Sequence, residues 1–157
     1  MNAKKAVSEA NVVARDRRAR HNYFIESTVE AGIMLHGTEV KSLRAGQSSI
    51  EESYATDRDN NLVLLNAYIP EYRSASVTQH EPRRPRTLLL RKRELAKLVD
   101  AVSREGITIV PLSIYFNARG FAKVELGIAK GKRQHEKRDS IKERDWKRDQ
   151  ARLMRNR

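Results

Sequence analysis

Read for the spacing of apolar and polar positions, the chain divides into short segments separated by turn residues. Tyr23-Phe24-Ile25 and Ile33-Met34-Leu35 each have the apolar and aromatic character of a strand. Gly32 and Gly37 flank the second run and suggest bulges or turns. Thr38 predicts the cap of a short helix over 39–44, which stops at Gly46. Residues 50–55 alternate as a half-buried strand does, 57–61 form a turn cluster, and 62–69 are apolar enough for a buried strand. A polar loop with Pro70, Pro82 and Pro85 covers 70–86. Leu95, Leu98, Val99 and Val102 recur at helical spacing and predict a helix over 91–104. Residues 107–116 and 121–128 read as two strands joined by the hairpin turn Asn117-Ala118-Arg119-Gly120.

The fold class is therefore mainly β with short helices. Short strands separated by turns favour closure, because closure removes exposed edges. A closed OB-like β-barrel of about six strands is the expected architecture, with a sandwich or an open α+β sheet as alternatives. Residues 1–14 read as a flexible leader, 15–130 as the barrel and 131–157 as a tail.

Charge sharpens that division. Lys and Arg number 32 against 20 acidic residues, a net charge of +12. A polyanion is the partner that such a balance favours. An anionic membrane surface is the weaker alternative, since no basic helix has a clean apolar face. From Lys130 to Arg157 twelve basic residues face five acidic ones, so more than half the excess lies in the last 28 residues. This tail has few large apolar side chains, namely Ile141, Trp146, Leu153 and Met154. That is too little to offset the entropy of ordering, so disorder is expected in the free chain. Yet 132–157 lacks Gly and Pro and is rich in helix formers, which suits a segment that becomes helical on a partner.

Composition also excludes chemistry. Cysteine is absent, which rules out disulfides and thiolate zinc sites. No phosphate-binding loop, dinucleotide fingerprint, zinc-protease motif or nucleophile elbow is present, and His21, His36, His80 and His135 are scattered without metal-ligand spacing. Neither an enzyme nor a cofactor is expected. There is no apolar run of bilayer length and no signal-peptide core, so a cytoplasmic location is expected.

Three groups carry RNA-binding character. Arg15, Arg17, Arg18, Arg20 and His21 precede Tyr23, where cations hold phosphates and a ring stacks on a splayed base. Arg83, Arg84, Arg86, Arg91, Lys92 and Arg93 surround Leu88-Leu89-Leu90. The tail is the third group, and a plain solubility tail would not need Trp146. The bland readings are a basic arm before a core tyrosine, a solvated helix face and a solubility device.

These residues fall into motifs. Arg18-Ala19-Arg20-His21-Asn22-Tyr23-Phe24-Ile25, Glu30-Ala31-Gly32-Ile33 and Gly37-Thr38-Glu39-Val40-Lys41-Ser42-Leu43-Arg44-Ala45-Gly46 occur in order. Arg86-Thr87-Leu88-Leu89-Leu90 and Gly131-Lys132-Arg133-Gln134-His135-Glu136-Lys137-Arg138 follow. From residue 15 to about 155 the chain resembles the SsrA-binding protein family, also called small protein B or SmpB. The resemblance implies an OB-type barrel with a basic tail. It implies a partner, transfer-messenger RNA, and a process, trans-translation, in which stalled ribosomes are rescued and unfinished peptides tagged. The body would bind the tRNA-like domain and help deliver the RNA to the ribosomal A site, with elongation factor Tu in the same complex. The tail would sense an empty mRNA channel.

Carried over by motif, Tyr23, Glu30 and Leu90 match positions that contact the tRNA-like domain. Arg17, Arg18, Arg20, His21, Lys41, Arg44, Arg86 and Lys123 would complete that surface. Gly131, Lys132 and His135 would reach the small-subunit decoding centre. Lys137, Arg138, Ile141, Lys142, Arg144, Trp146, Lys147, Arg148, Leu153 and Met154 would follow the mRNA channel. The chain departs from many relatives at Asp16, where Asn is common, and at Glu136, where Asp is common. A ribosome-assembly protein and a single-strand-binding OB module are the rival readings.

Overall fold

The computed structural model describes residues 11–74, 78–104, 106–131 and 134–155. Seven strands and four helices lie among them. In chain order they are β1 (Val12–Arg15), α1 (Ala19–Asn22), β2 (Tyr23–Ile33), α2 (Gly37–Ala45), β3 (Tyr54–Arg58), β4 (Asn61–Leu65), β5 (Arg86–Leu89), α3 (Lys92–Ser103), β6 (Ile107–Phe116), β7 (Ala122–Gly131) and α4 (Gln134–Arg155).

All pairings between strands are antiparallel. Six strands close on themselves in the order β6-β3-β4-β5-β2-β7, with β7 returning to β6, and β1 lies along the distal half of β6. The expected closure is present, as a ring with thin seams rather than a regular barrel. β3 meets β6 only at Ala55 and Ile109, and β2 meets β5 at two positions. The long β2–β7 and β6–β7 ladders carry the ring. Inside it, Leu43, Ile50, Leu62, Leu64, Ile69, Leu98, Ile109, Ile114, Val124 and Leu126 are buried. Each such side chain contributes about 1.5–3 kcal/mol through removal from water.

Local chemistry explains the turns. Register leaves only Asp59 and Asn60 between β3 and β4, and both have positive φ, as a two-residue hairpin of the primed kind requires. Gly46 ends α2 in the left-handed conformation at φ 82°, and its N–H donates to Leu43 O. α3 lies against the ring through Leu98, with Leu95 and Val102 beside it, as its spacing predicts.

Several expectations change. Residues 12–14 belong to β1, because β6 offers a free edge beyond β3 and Asp16 N–H donates to Leu112 O. In place of two strands at 23–25 and 33–35 there is one, β2, which runs from Tyr23 to Ile33 and stops before Met34 and Leu35. Residues 50–53 turn before β3 begins at Tyr54, and Ser53 Oγ donates to Ile50 O. Thr38 does not cap α2, because its hydroxyl is engaged by His80 Nδ1 at 2.9 Å. His80 is buried, and its Nε2 donates to Ile69 O at 2.9 Å, which pins the 70–86 loop to α2.

In the tail, residues 134–155 form one helix, α4, the form that its composition favours. No Gly or Pro interrupts it, and Lys147 pairs with Glu143 one turn earlier at 3.0 Å. Residues 141–155 are exposed throughout, so that part of the helix packs on nothing.

Candidate RNA-binding surface

Register places a row of side chains across four strands on the outside of the ring. Leu89 of β5 is opposite Gly32 of β2, Gly32 is opposite Lys123 of β7, and Lys123 is opposite Tyr115 of β6. Directly paired residues share a face. Two residues along the strands, Glu30 is opposite Glu125, which in turn is opposite Ser113. The alternating partners Ala31, Ile114, Val124 and Leu88 point inward and are buried. The Leu89 side chain closes over Gly32, since an added Cβ there would stand 3.2 Å from Leu89 Cβ.

The same face continues toward the other end of β2 because of two bulges. Odd-numbered Tyr23 and Ile25 precede a register shift, and even-numbered Thr28, Glu30 and Gly32 follow it. Without that register shift, which leaves Glu26 unpaired, those two sets of opposite parity would lie on opposite faces. β6 has the matching shift between Pro111 and Ser113, which puts Val110 and Leu112 on the face that carries Ser113 and Tyr115. Proline tolerates that position because a bulge already interrupts the ladder. The result is a second apolar cluster outside the ring: Val110, Leu112 and Ala129, with Tyr23 and Ile25, lie under Ala19 of α1.

α1 is held in place by Asp16, whose Oδ1 accepts from the N–H groups of Arg18 at 2.9 Å and Ala19 at 3.0 Å. Burial raises the Asp16 carboxyl above its ordinary value, and those two backbone donors oppose the rise. Asp16 is thus an anchor for the turn. Arg17, Arg18 and Arg20 are exposed around it. Tyr23 is half-buried, with its position on the outer face fixed by pairing to Gly131. His21 is half-buried as well, and its Nδ1 lacks a hydrogen-bond partner.

On the polar part of the face, Tyr115 donates its O–H to Glu30 Oε2, while Lys123 Nζ lies 3.9 Å from Glu30 Oε1. Ser113 Oγ donates to Glu125 Oε2 at 3.5 Å. Burial, and then the Glu30 carboxylate, push the Tyr115 phenol far up, so it stays protonated. Glu30 is open to solvent.

Two expected contact residues are placed elsewhere. Leu90 packs against the interior, and Leu89, its neighbour, is the exposed leucine beside Gly32. Strand alternation decides this, since Leu88 is inward. Arg86 is fully buried. It donates to Glu39 Oε2 at 2.7 Å, to Ala67 O at 2.8 Å and to Pro82 O at 3.1 Å, and so ties α2 to the 70–86 loop. Arg84 adds a second guanidinium, 2.8 Å from Glu39 Oε1. Burial works to raise the Glu39 carboxyl, but the two arginines win and hold it below the usual range. Burial lowers the Arg86 guanidinium.

The remaining cations stay outside. Lys41 lies over the Tyr72 ring at 5.5 Å and Arg44 over Phe116 at 5.1 Å, the latter beside the β6–β7 turn. Arg83 lies over Tyr68, and Arg91, Lys92 and Arg93 are exposed where α3 begins. Gly131 ends β7 and leads toward the tail. Lys132 lies outside the described residues, as do the side chains of His135, Lys137 and Arg138. On α4, Ile141, Lys142, Arg144, Trp146, Lys147, Arg148, Leu153 and Met154 are exposed. Arg144, Arg148, Arg152 and Arg155 follow one another at helical spacing and form a stripe, with Trp146 and Leu153 on the opposite side. Among the described residues no cluster could hold a metal ion, and no helix is long and apolar enough to cross a membrane.

Known proteins match the chain over nearly its whole length. A family model described as SmpB protein matches residues 13–156. A protein of Paramagnetospirillum magneticum named SsrA-binding protein is 60% identical over 150 residues, covering 96% of this chain and 98% of that protein. One of Sphingomonas elodea with the same name is 58% identical over 149 residues, covering 95% and 93%. A solved structure described as "tmRNA-SmpB: a journey to the center of the bacterial ribosome" is similar with a TM-score of 0.66 and 50% identity, over 81% of this chain and 92% of that one.

Proposed function

The chain belongs to the SmpB family, and from that premise we propose that it is an RNA-binding protein of trans-translation, with transfer-messenger RNA and the ribosome as its partners. Residues 15–130 act as the RNA-binding body and 131–157 as a separate ribosome-directed tail. The observation that carries this reading is the combination, on one chain, of an outer sheet face bordered by Arg17, Arg18 and Arg20 with a basic helix whose described side chains pack on nothing.

On the body, Tyr23, Glu30, Leu89 and Lys123 meet the tRNA-like domain. Arg17, Arg18 and Arg20 supply phosphate contacts, with Lys41 and Arg44 at the margins. Bound in this way, the RNA reaches the A site of a stalled ribosome together with elongation factor Tu. The tail enters the mRNA channel when no message fills it. A channel walled by phosphate attracts a positive segment, and a message already present excludes it by volume. α4 suits the task, since its arginine stripe faces phosphate while Trp146 and Leu153 remain free for apolar or stacking contacts. A lone helix of this length is marginal in water, so the channel selects and holds it. Peptidyl transfer belongs to the ribosome, and the chain contributes binding and placement.

Removal of residues 132–157 tests the division of labour. The truncated protein is expected to bind transfer-messenger RNA nearly as well as the full chain and to fail in a reconstituted tagging reaction on ribosomes stalled without downstream message. Full-rate tagging by the truncated protein would reduce the tail to a solubility device.

A further inference from the structure

A carboxylate at the centre of an RNA-facing surface needs explanation, because it repels phosphate. Glu30 stands in that place, exposed, directly opposite a second carboxylate, Glu125. Like charges in register disfavour each other. The structure offsets this with hydroxyl groups from β6: Ser113 donates to Glu125 and Tyr115 to Glu30. Tyr115 is 6% exposed, so the phenol that donates to Glu30 comes from a buried side chain. One oxygen of Glu30, Oε2, is occupied by the phenol, and the other, Oε1, faces Lys123 at 3.9 Å, too far for a hydrogen bond. Oε1 therefore keeps its acceptor capacity. Two residues along β2, the exposed Leu89 side chain lies over Gly32, which is paired with Lys123 on its other side.

Building on the RNA-binding role proposed above, we propose that Tyr115 is a positioning residue. Its O–H fixes Glu30 so that Oε1 points outward and accepts a hydrogen bond from a donor on the RNA, either a base N–H or a ribose 2′-hydroxyl, and not from the phosphate backbone. Glu30 then supplies selectivity by chemical complementarity, since only a donor satisfies it, while Lys123 supplies attraction to phosphate. The phenol is held protonated by its buried setting and by Glu30 itself, so it remains a donor above the pH at which a free tyrosine ionises.

The test is a binding cycle with the full chain and a transcript of the tRNA-like domain of transfer-messenger RNA, repeated at several salt concentrations. Tyr115→Phe keeps the ring and removes only the hydroxyl. It is expected to weaken binding about fivefold, the cost of a hydrogen bond, with the slope of log affinity against log salt unchanged. Glu30→Ala should weaken binding at least as much, and the double variant should bind no worse than Glu30→Ala alone. Lys123→Ala should instead flatten the salt slope. A 2′-deoxy version of the transcript separates the donors: if the Glu30→Ala penalty vanishes there, the donor is a ribose hydroxyl, and if it persists, a base N–H. Additive losses for Tyr115→Phe and Glu30→Ala, a flattened slope for Tyr115→Phe, or wild-type affinity in that variant would each overturn the proposal. Failure of the wild-type chain to prefer this transcript over an unrelated RNA would instead overturn the RNA-binding role itself.

Discussion

Adjacent leucines at 89 and 90 have opposite surroundings, and they separate binding from stability. Leu89→Ala is expected to weaken RNA binding without lowering the melting temperature, because its side chain stands outside. Leu90→Ala is expected to cost about 2 kcal/mol of stability by leaving a void against the interior, with the outer face intact. Gel shifts and thermal melts on both variants decide the matter, and the reverse pattern would return Leu90 to the contact surface. The buried trio of Glu39, Arg84 and Arg86 has a different signature. Glu39→Gln leaves Arg86 charged and without its partner, at a cost of about 3–5 kcal/mol. The Glu39 carboxyl is held low, so the stability it contributes is complete above about pH 4.3, the unfolded value. It is lost as pH falls through the lower folded value. Urea midpoints from about pH 2 to pH 7 should show an acid-dependent loss in the wild type that is smaller in Glu39→Gln.

Elements defined by local chemistry were legible in the sequence, and those defined by distant partners were not. α3, the Gly46 stop and the β6–β7 hairpin each rest on residues within one turn of one another. β1 depends on a free stretch of β6 about a hundred residues later, and the Arg86 site depends on Glu39 from another element. Tyr23, Glu30 and Lys123, which the motif singles out, share one face, and only register shows that Leu89 lies on it too. The bulge at Glu26 was equally invisible, since its purpose is to reconcile two runs of opposite parity. Deleting Glu26 removes only the unpaired residue and keeps Tyr23 and Ile25 beside Ala129, so a small change in melting temperature is the expected result. A marked fall would mean that the bend at the bulge is itself needed to seat Tyr23 and Ile25. For α4, Ala151→Pro interrupts the last turns at about 3 kcal/mol. Tagging should fall while RNA affinity holds, with the loss of helix read by circular dichroism.

Across the whole molecule the net charge of +12 predicts steep salt dependence. Each phosphate neutralised contributes about −0.7 to −0.9 to the slope of log affinity against log salt. A nearly flat dependence for the intact chain would show that stacking and shape dominate instead. The ring imposes a further condition, which concerns time. β2 leaves the translating ribosome early, yet its longest ladder is with β7, about a hundred residues later. At about 5–20 residues per second, β2 waits some 5–20 s for its partner. During that interval Phe24 and its neighbours present an open edge, the form in which β chains aggregate. A message broken upstream of the β7 codons yields a product that never closes its ring. On the function proposed above, a cell short of this protein through damage to its own message accumulates unclosed fragments, each one stranded on a ribosome that the missing protein would have freed.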